Sequence, residues 1–497
     1  MAKLCTIIGG GITGMTAALI LAKKGFEVNL VEKAPVLGST LRGFTRQNIY
    51  FDTGLHITGG MSKNGLLKAF LEYLSISGLS LHQYDSSAYL NILCLETQKQ
   101  IPLPSDIGIL EESLLQSFPN EVNAIKTFIN DMLLVCNSSV FLNFRNVLSQ
   151  DSNITRFFSL SLADYLKNLT QDKTLIAVLS AHCLLHGVSP LDVSFSHHAY
   201  IMGSYLDGAY NFIGGGKSFV KAFEKELVNS GVKIICNDGA SSVLLDKNSK
   251  LKAVVLESGR EIITDSLLFT AHPSLLPTLF PSGTFKQSFV SRMENLEDTL
   301  SAHILFGVVK AQGDENIGLL SKSSTIVLPE NAVENFFIDA TRQTKLPLYI
   351  ARSQAHENNV DGISIITSGA ISQYSSWKNS LLRKRQADYY IAKQKMLENI
   401  RTQAIEACPF LSGLEIIDGA TPLTLRDYMH TPNGSLYGVA HSLRQFSPAP
   451  VTRLPGVWIA GQSVVAPGVL GAMISAFLVC GYMMKTDNLL QEVTTCV

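Results

Sequence analysis

The chain has 497 residues, 46% of them hydrophobic and only 16% charged, with 40 basic side chains against 41 acidic. That much apolar material excludes a disordered chain, and a net charge of −1 leaves no electrostatic footprint for nucleic acid. At roughly 150 residues per domain the length calls for two or three cores. What the arithmetic leaves open is whether the missing charge reflects a large core or contact with lipid.

Leu4-Cys-Thr-Ile-Ile8 is an apolar run of strand length, and Gly9-Gly-Gly11-Ile-Thr-Gly14 follows at once. Met15, Ala18, Leu19 and Ala22 then recur at helical spacing, and Phe26 to Val31 reads as a second strand ended by Glu32. Strand, glycine turn, helix, strand and acid in about 30 residues is the dinucleotide-binding unit. Gly9 permits the tight turn, Gly11 lets a pyrophosphate approach the backbone, and Gly14 lets helix and strand pack closely. The phosphates would rest on the positive, unpaired end of the helix. Glu32 is placed to accept hydrogen bonds from a ribose, and its charge would repel a 2′-phosphate, which argues against NADP. No charge stands between Leu4 and Ala22, so the window also has the length of a signal peptide, but a signal core gains nothing from three glycines.

After Lys33 to Thr40 comes Phe51-Asp-Thr-Gly-Leu-His56, then helical runs at Leu66 to Leu74, Leu110 to Phe118, Asn123 to Val135 and Leu162 to Leu185. Tyr210 to Ser218 opens a further helix. Its Gly216-Lys-Ser218 hints at a P-loop, but Asn211 stands where the first glycine is required. Strands are expected in Val232 to Asp246, Leu251 to Glu257 and Ile262 to Thr270, then in His303 to Val309, Ser324 to Leu328, Leu348 to Ala351 and Ile363 to Thr367. A long helix is expected from about Leu381 to Ala407. His182 and His186 share a helix face, with His197 and His198 soon after. Cys183 occupies the place where a zinc-protease helix needs glutamate, so core or cavity-lining histidines and no metal are expected. Lys378, Arg383, Lys384 and Arg385 read as a solvated helix start, with anionic lipid the other reading. The eight cysteines are scattered without a C-x-x-C, which suits a reduced, cytoplasmic compartment.

Leu454 to Met484 is the second uncharged window and reads as strand, glycine loop (Gly461-Gln462-Ser463, then Pro467 to Gly471-Ala472) and helix, rather than as a membrane span. Together with Gly9 to Gly14, Glu32, Phe51 to His56, Ala420 to Tyr428 and Gly434 to Gly438, this window resembles the phytoene desaturase, carotenoid isomerase and retinol saturase group of FAD-dependent oxidoreductases. The resemblance implies an α/β fold: a Rossmann-like FAD-binding domain of the two-dinucleotide-binding flavoprotein type, interleaved with an α+β substrate domain. The cofactor part would comprise 1–64, 206–285 and 419–497. The substrate part would comprise 65–205, mostly helical, and 286–418, a sheet with the long helix.

Carried over by position, the resemblance places the pyrophosphate on Gly9, Gly11, Ile12, Thr13 and Gly14 and the ribose on Glu32. Lys33, Gly38, Ser39 and Thr40 would line the cofactor further along, and Ala240 would offer its backbone to adenine. Gly461 and Gln462 would reach the ribityl chain, and a helix starting near Gly471-Ala472 would point at the flavin. Gln462 departs from the aspartate many relatives carry there, which removes a local negative charge. His56 is the catalytic candidate, an imidazole able to move a proton beside the flavin. The expected reaction is desaturation, saturation or isomerisation of a long apolar polyene, with hydride transfer at flavin N5. The substrate is an apolar small molecule, and the protein would contact a membrane peripherally. Two rivals stay open: a flavin amine oxidase, for which Tyr428 and Tyr437 are the nearest candidate tyrosines, and a non-enzymatic flavin-stabilised lipid-binding protein.

Overall fold

The computed structural model describes residues 3–38, 40–139, 152–309, 320–338, 344–354, 360–486 and 489–494. The strand Leu4–Ile8 lies at the centre of a five-stranded parallel sheet, between Glu27–Val31 on one side and Ser266–Phe269 on the other. Lys233–Ile235 and Val457–Ile459 form the two edges. A parallel strand covered on both faces needs a continuous apolar run rather than alternation, which is how residues 4–8 read.

The helix Ile12–Lys23 follows, buried continuously from Ile12 to Leu21. Against it lies the helix Gly468–Met484, with Met473, Ala476, Val479 and Cys480 in the same hydrophobic core. The threonine hydroxyl of Thr13 donates to the Ala472 carbonyl at 3.2 Å. The two long uncharged windows therefore cover each other, and each lacks charge because its neighbour does. Among the described residues, no helix is long and apolar enough to cross a membrane. A three-stranded antiparallel sheet (Ala240–Leu245, Leu251–Leu256, Glu261–Ile263) completes this half.

The second half is built on a seven-stranded mixed sheet. Its order is Leu414–Ala420, Ser301–Val309, Ile363–Gly369, Leu348–Arg352, Ser324–Leu328, Leu90–Cys94, Lys99–Leu103. Alternation sorts its faces. Leu305, Ile350 and Ile365 pack under the helix Ala387–Ala407 through Leu397, Ile400 and Ala404. Their neighbours Ile304, Phe306, Tyr349 and Ile366 point the other way and line a cavity. Helices within 107–138 and 152–203 cover the far end of the sheet around Phe128, Phe157, Tyr165 and Phe195.

Several expected elements differ in detail. The run Leu162 to Leu185 is three helices, Leu162–Leu169, Lys173–Ser180 and Cys183–His186. The break falls where the Asp172 carboxylate caps a new helix by accepting from Thr174 N at 2.9 Å and Leu175 N at 3.0 Å. Segment 65–205 also contributes strands, of which Leu90–Cys94 pairs in parallel with Ser324–Leu328. The long helix begins at Ala387, after a basic segment in which Lys378, Arg383 and Lys384 are exposed but Arg385 is not. Arg385 is buried in a salt bridge to Asp427 and lies over the Tyr389 ring at 4.7 Å, so it is not part of a solvated helix start.

Candidate functional site

Where the C-terminal ends of the parallel strands face the seven-stranded sheet there is a cavity of about 1200 Å³. Its first wall is backbone. Gly11 caps the helix Ile12–Lys23 with no side-chain hydrogen bond, so the first N–H groups of that helix have no capping acceptor. A Cβ on Gly11 would meet nothing within 4 Å, whereas one on Gly14 would stand 1.9 Å from the Gly9 carbonyl oxygen. One glycine thus leaves room for a ligand, and the other lets the helix pack on the strand. Glu32 hangs over the turn, with one oxygen accepting from Gly10 N at 2.6 Å and the other from Ala34 N at 2.7 Å. A carboxylate has about four lone-pair sites, so two bonds fix its position and leave acceptors for hydroxyl groups. The helix Gly468–Met484 supplies a second N-terminus without a side-chain cap, and Gly468 also lines the cavity.

Of the residues predicted from sequence, Gly9, Gly11, Ile12, Thr13, Glu32, Lys33, Thr40, His56, Ala240, Gly461, Gln462 and Ala472 all line this one cavity. Three others are placed differently. Gly14 packs behind the turn, and the space over Gly38 is filled by Val220. The C-terminal helix starts at Gly468 rather than at Gly471-Ala472, so Gly471 lies inside its first turn against the Ala466 carbonyl. Ser39 lies outside the described residues. Lys33 bonds Glu257 at 2.8 Å, both half-exposed. The Gln462 carbonyl accepts from His441 Nε2 at 2.7 Å, which fixes that imidazole's tautomer.

The opposite wall is side chains: Ile304, Phe306, Ile366, Leu184, Leu185, Leu436, Tyr349 and Tyr437. His56 sits at this end. Its carbonyl is held by the Tyr84 hydroxyl at 2.8 Å and by Asn211 Nδ2 at 3.0 Å, while both ring nitrogens are buried without a hydrogen-bond partner among the described residues. The ring meets Tyr349 edge-on at 6.0 Å. Burial pushes the imidazole down to about 4, so it is neutral and offers one N–H and one lone pair. Asp52, fully buried, joins the two halves. Its backbone N–H donates to Ser353 Oγ at 2.8 Å, and its carboxylate accepts from the Tyr50 hydroxyl at 2.8 Å and from Gly216 N at 3.0 Å. Desolvation raises it to about 6 against those bonds. Gly216 therefore serves a carboxylate, not a P-loop phosphate. The side-chain wall was missed in the sequence; the alternation within residues 301–309 and 363–369 was the signal that could have found it. Also missed was His272, which lines the cavity and bonds Asp298 at 2.8 Å with both partners buried.

Residues 7–74 match the family described as NAD(P)-binding Rossmann-like domain. The all-trans-retinol 13,14-reductase of Danio rerio is 25% identical over 97% of this chain and 86% of its own length. The 4,4'-diapolycopen-4-al dehydrogenase of Metabacillus indicus is 28% identical over 53% of this chain and 54% of its own. Over nearly its whole length the chain is thus similar to retinol saturases, and over about half of it to carotenoid-modifying oxidoreductases. Among solved structures, wild-type putrescine oxidase bound to putrescine superposes with a TM-score of 0.63 over 98% of this chain and 99% of its own, at 12% identity. That likeness is one of fold alone: a dinucleotide-binding Rossmann domain in an amine-oxidase-like architecture of mixed sheets.

Proposed function

We propose that the protein is an FAD-dependent oxidoreductase acting on carbon–carbon double bonds of a long apolar polyene of the carotenoid or retinoid kind. The observation that carries this reading is the continuity of the cavity. One space runs from the glycine turn and Glu32 to a wall of Ile304, Phe306, Ile366, Leu184 and Leu185. Its volume of about 1200 Å³ exceeds the roughly 300–1,000 Å³ of single small-molecule sites. The residues present fit the cofactor. The open space over Gly11 suits a pyrophosphate, the spare acceptors of Glu32 suit a ribose, and the second uncapped helix suits an electron-rich group.

When bound, FAD supplies the hydride acceptor or donor at N5. The chain's own part is to bind and exclude water. Apolar side chains on the seven-stranded sheet hold the polyene without fixing its register, since dispersion and desolvation are non-directional. Neutral His56, whose two ring nitrogens lack a partner among the described residues, is a group that can hold or relay a proton there. Peripheral membrane contact belongs to this reading as the source of an oily substrate.

The test is anaerobic incubation of FAD-loaded protein with a panel of carotenoids and retinoids, read by product mass. A gain or loss of two hydrogens, or a new isomer of unchanged mass, supports the reading and identifies the reaction. Protein that fails to take up FAD overturns it. So does flavin that is bleached by amines and by no polyene.

A further inference from the structure

Behind the cavity wall lies a patch of histidines that the proposed reaction does not use. The short helix Cys183–His186 places Leu184 and Leu185 on the cavity. Its end residues, Cys183 and His186, are three apart and face away together. There they meet His198 on the helix Phe195–Gly203, whose start is capped by Ser194 Oγ. All three side chains are buried, and their ligand atoms lie within 4.8 Å of one another.

The distances are specific. Cys183 Sγ stands 3.7 Å from His198 Nδ1, and His186 Nε2 stands 3.3 Å from the same atom. A tetrahedral ion with bonds of about 2.0 Å to nitrogen and about 2.3 Å to sulfur holds its donors about 3.3 Å (N to N) and about 3.5 Å (N to S) apart. His198 Nε2 is 2.9 Å from the Leu179 carbonyl, which can only accept, so the neutral ring carries its proton there and Nδ1 is a bare lone pair. Metal-ligating histidines use this same arrangement to orient their rings. Hydrogen bonding alone satisfies the trio poorly, because the single lone pair on Nδ1 faces two would-be donors.

We propose that Cys183, His186 and His198 bind one zinc-class divalent ion through Sγ, Nε2 and Nδ1, with a fourth position left open. Binding releases the thiol proton to solvent and leaves a thiolate. Neighbouring His182 is engaged elsewhere, with Nε2 at 2.7 Å from the Tyr89 hydroxyl. The ion lies behind the substrate wall, where it clamps the turn carrying Leu184 and Leu185 to the helix Phe195–Gly203.

The experiment uses the full-length protein, purified from zinc-replete cells and dialysed against zinc chloride, with excess removed. Metal content is measured by mass spectrometry and coordination by zinc-edge X-ray absorption. About one tightly held zinc per chain is expected, with one sulfur near 2.3 Å and nitrogens near 2.0 Å. Cys183→Ser and His198→Gln should each lower the zinc content at least tenfold, and His182→Gln should leave it unchanged. Zinc below about a tenth of an equivalent in the wild type overturns the proposal. So does bound zinc without a sulfur neighbour, or an unchanged content in Cys183→Ser. Should the variants fail to fold, the absorption spectrum of the wild type decides alone.

Discussion

The two walls of the cavity are made of different material. On the Rossmann side, Gly11, the N–H groups behind it and a carboxylate held by two backbone donors present fixed dipoles. On the sheet side, Ile304, Phe306, Ile366 and Tyr349 form an apolar surface, and both ring nitrogens of His56 lack a hydrogen-bond partner among the described residues. A backbone wall recognises what every dinucleotide shares and tolerates little change in itself. A side-chain wall sets the shape of one substrate and can be altered residue by residue. On the proposed function, cofactor binding and substrate specificity lie on separate elements.

Substitutions can break this contrast. The largest effect is expected at Gly14→Val, where a Cβ 1.9 Å from the Gly9 carbonyl forces helix and strand apart. No folded, FAD-retaining protein should be recovered, as judged by flavin absorbance after gel filtration. His56→Ala should cut polyene turnover about 10²-fold, in line with loss of a general acid–base, while flavin content stays unchanged. Unaltered turnover would remove His56 from the reaction.

Glu32→Ala should weaken FAD about 10- to 100-fold by equilibrium titration, the value of charge-assisted hydrogen bonds. An unchanged affinity would mean the ribose lies elsewhere. The last effect, read through pH, is at the joint between the walls. Because the folded-state value for Asp52 is raised from 3.8 to about 6, the native state holds this proton more tightly than the unfolded chain. Its contribution is fully present below about pH 4 and lost as pH rises through about 6, about 3 kcal/mol in all. Asp52→Asn should remove that slope, so the difference in melting temperature between wild type and variant should shrink from pH 7 to pH 4 or reverse sign.

The backbone wall was legible in the sequence because turn, helix start and acid occur at fixed spacings with few residue types able to serve. Gly9, Gly11, Thr13 and Glu32 could be named from a dozen letters. The side-chain wall was not legible, because its members come from strands far apart in sequence. Whether Ile304 or Leu305 faces the cavity depends on a pairing register that the chain does not spell out locally. Arg385 misled for a related reason: its partner Asp427 lies 42 positions away, and a run of basic residues looks solvated until that partner is known. Asp172 was readable as a helix cap but was hidden inside an apolar run. Cys183, His186 and His198 could be picked out from the sequence, but that His198 meets the other two from a different helix could not.

The pairing of the first and last strands of the parallel sheet with their common neighbour has a consequence for biosynthesis. Ser266–Phe269 lies between Leu4–Ile8 and Val457–Ile459, so the sheet that begins folding at the N-terminus is completed only when residue 459 has been made. The helix Gly468–Met484, which covers Ile12–Leu21, arrives later still. A chain emerging at roughly 5–20 residues per second carries that oily helix face uncovered for tens of seconds. The face that Gly468–Met484 covers is therefore the last part of this core to be closed as the chain is made.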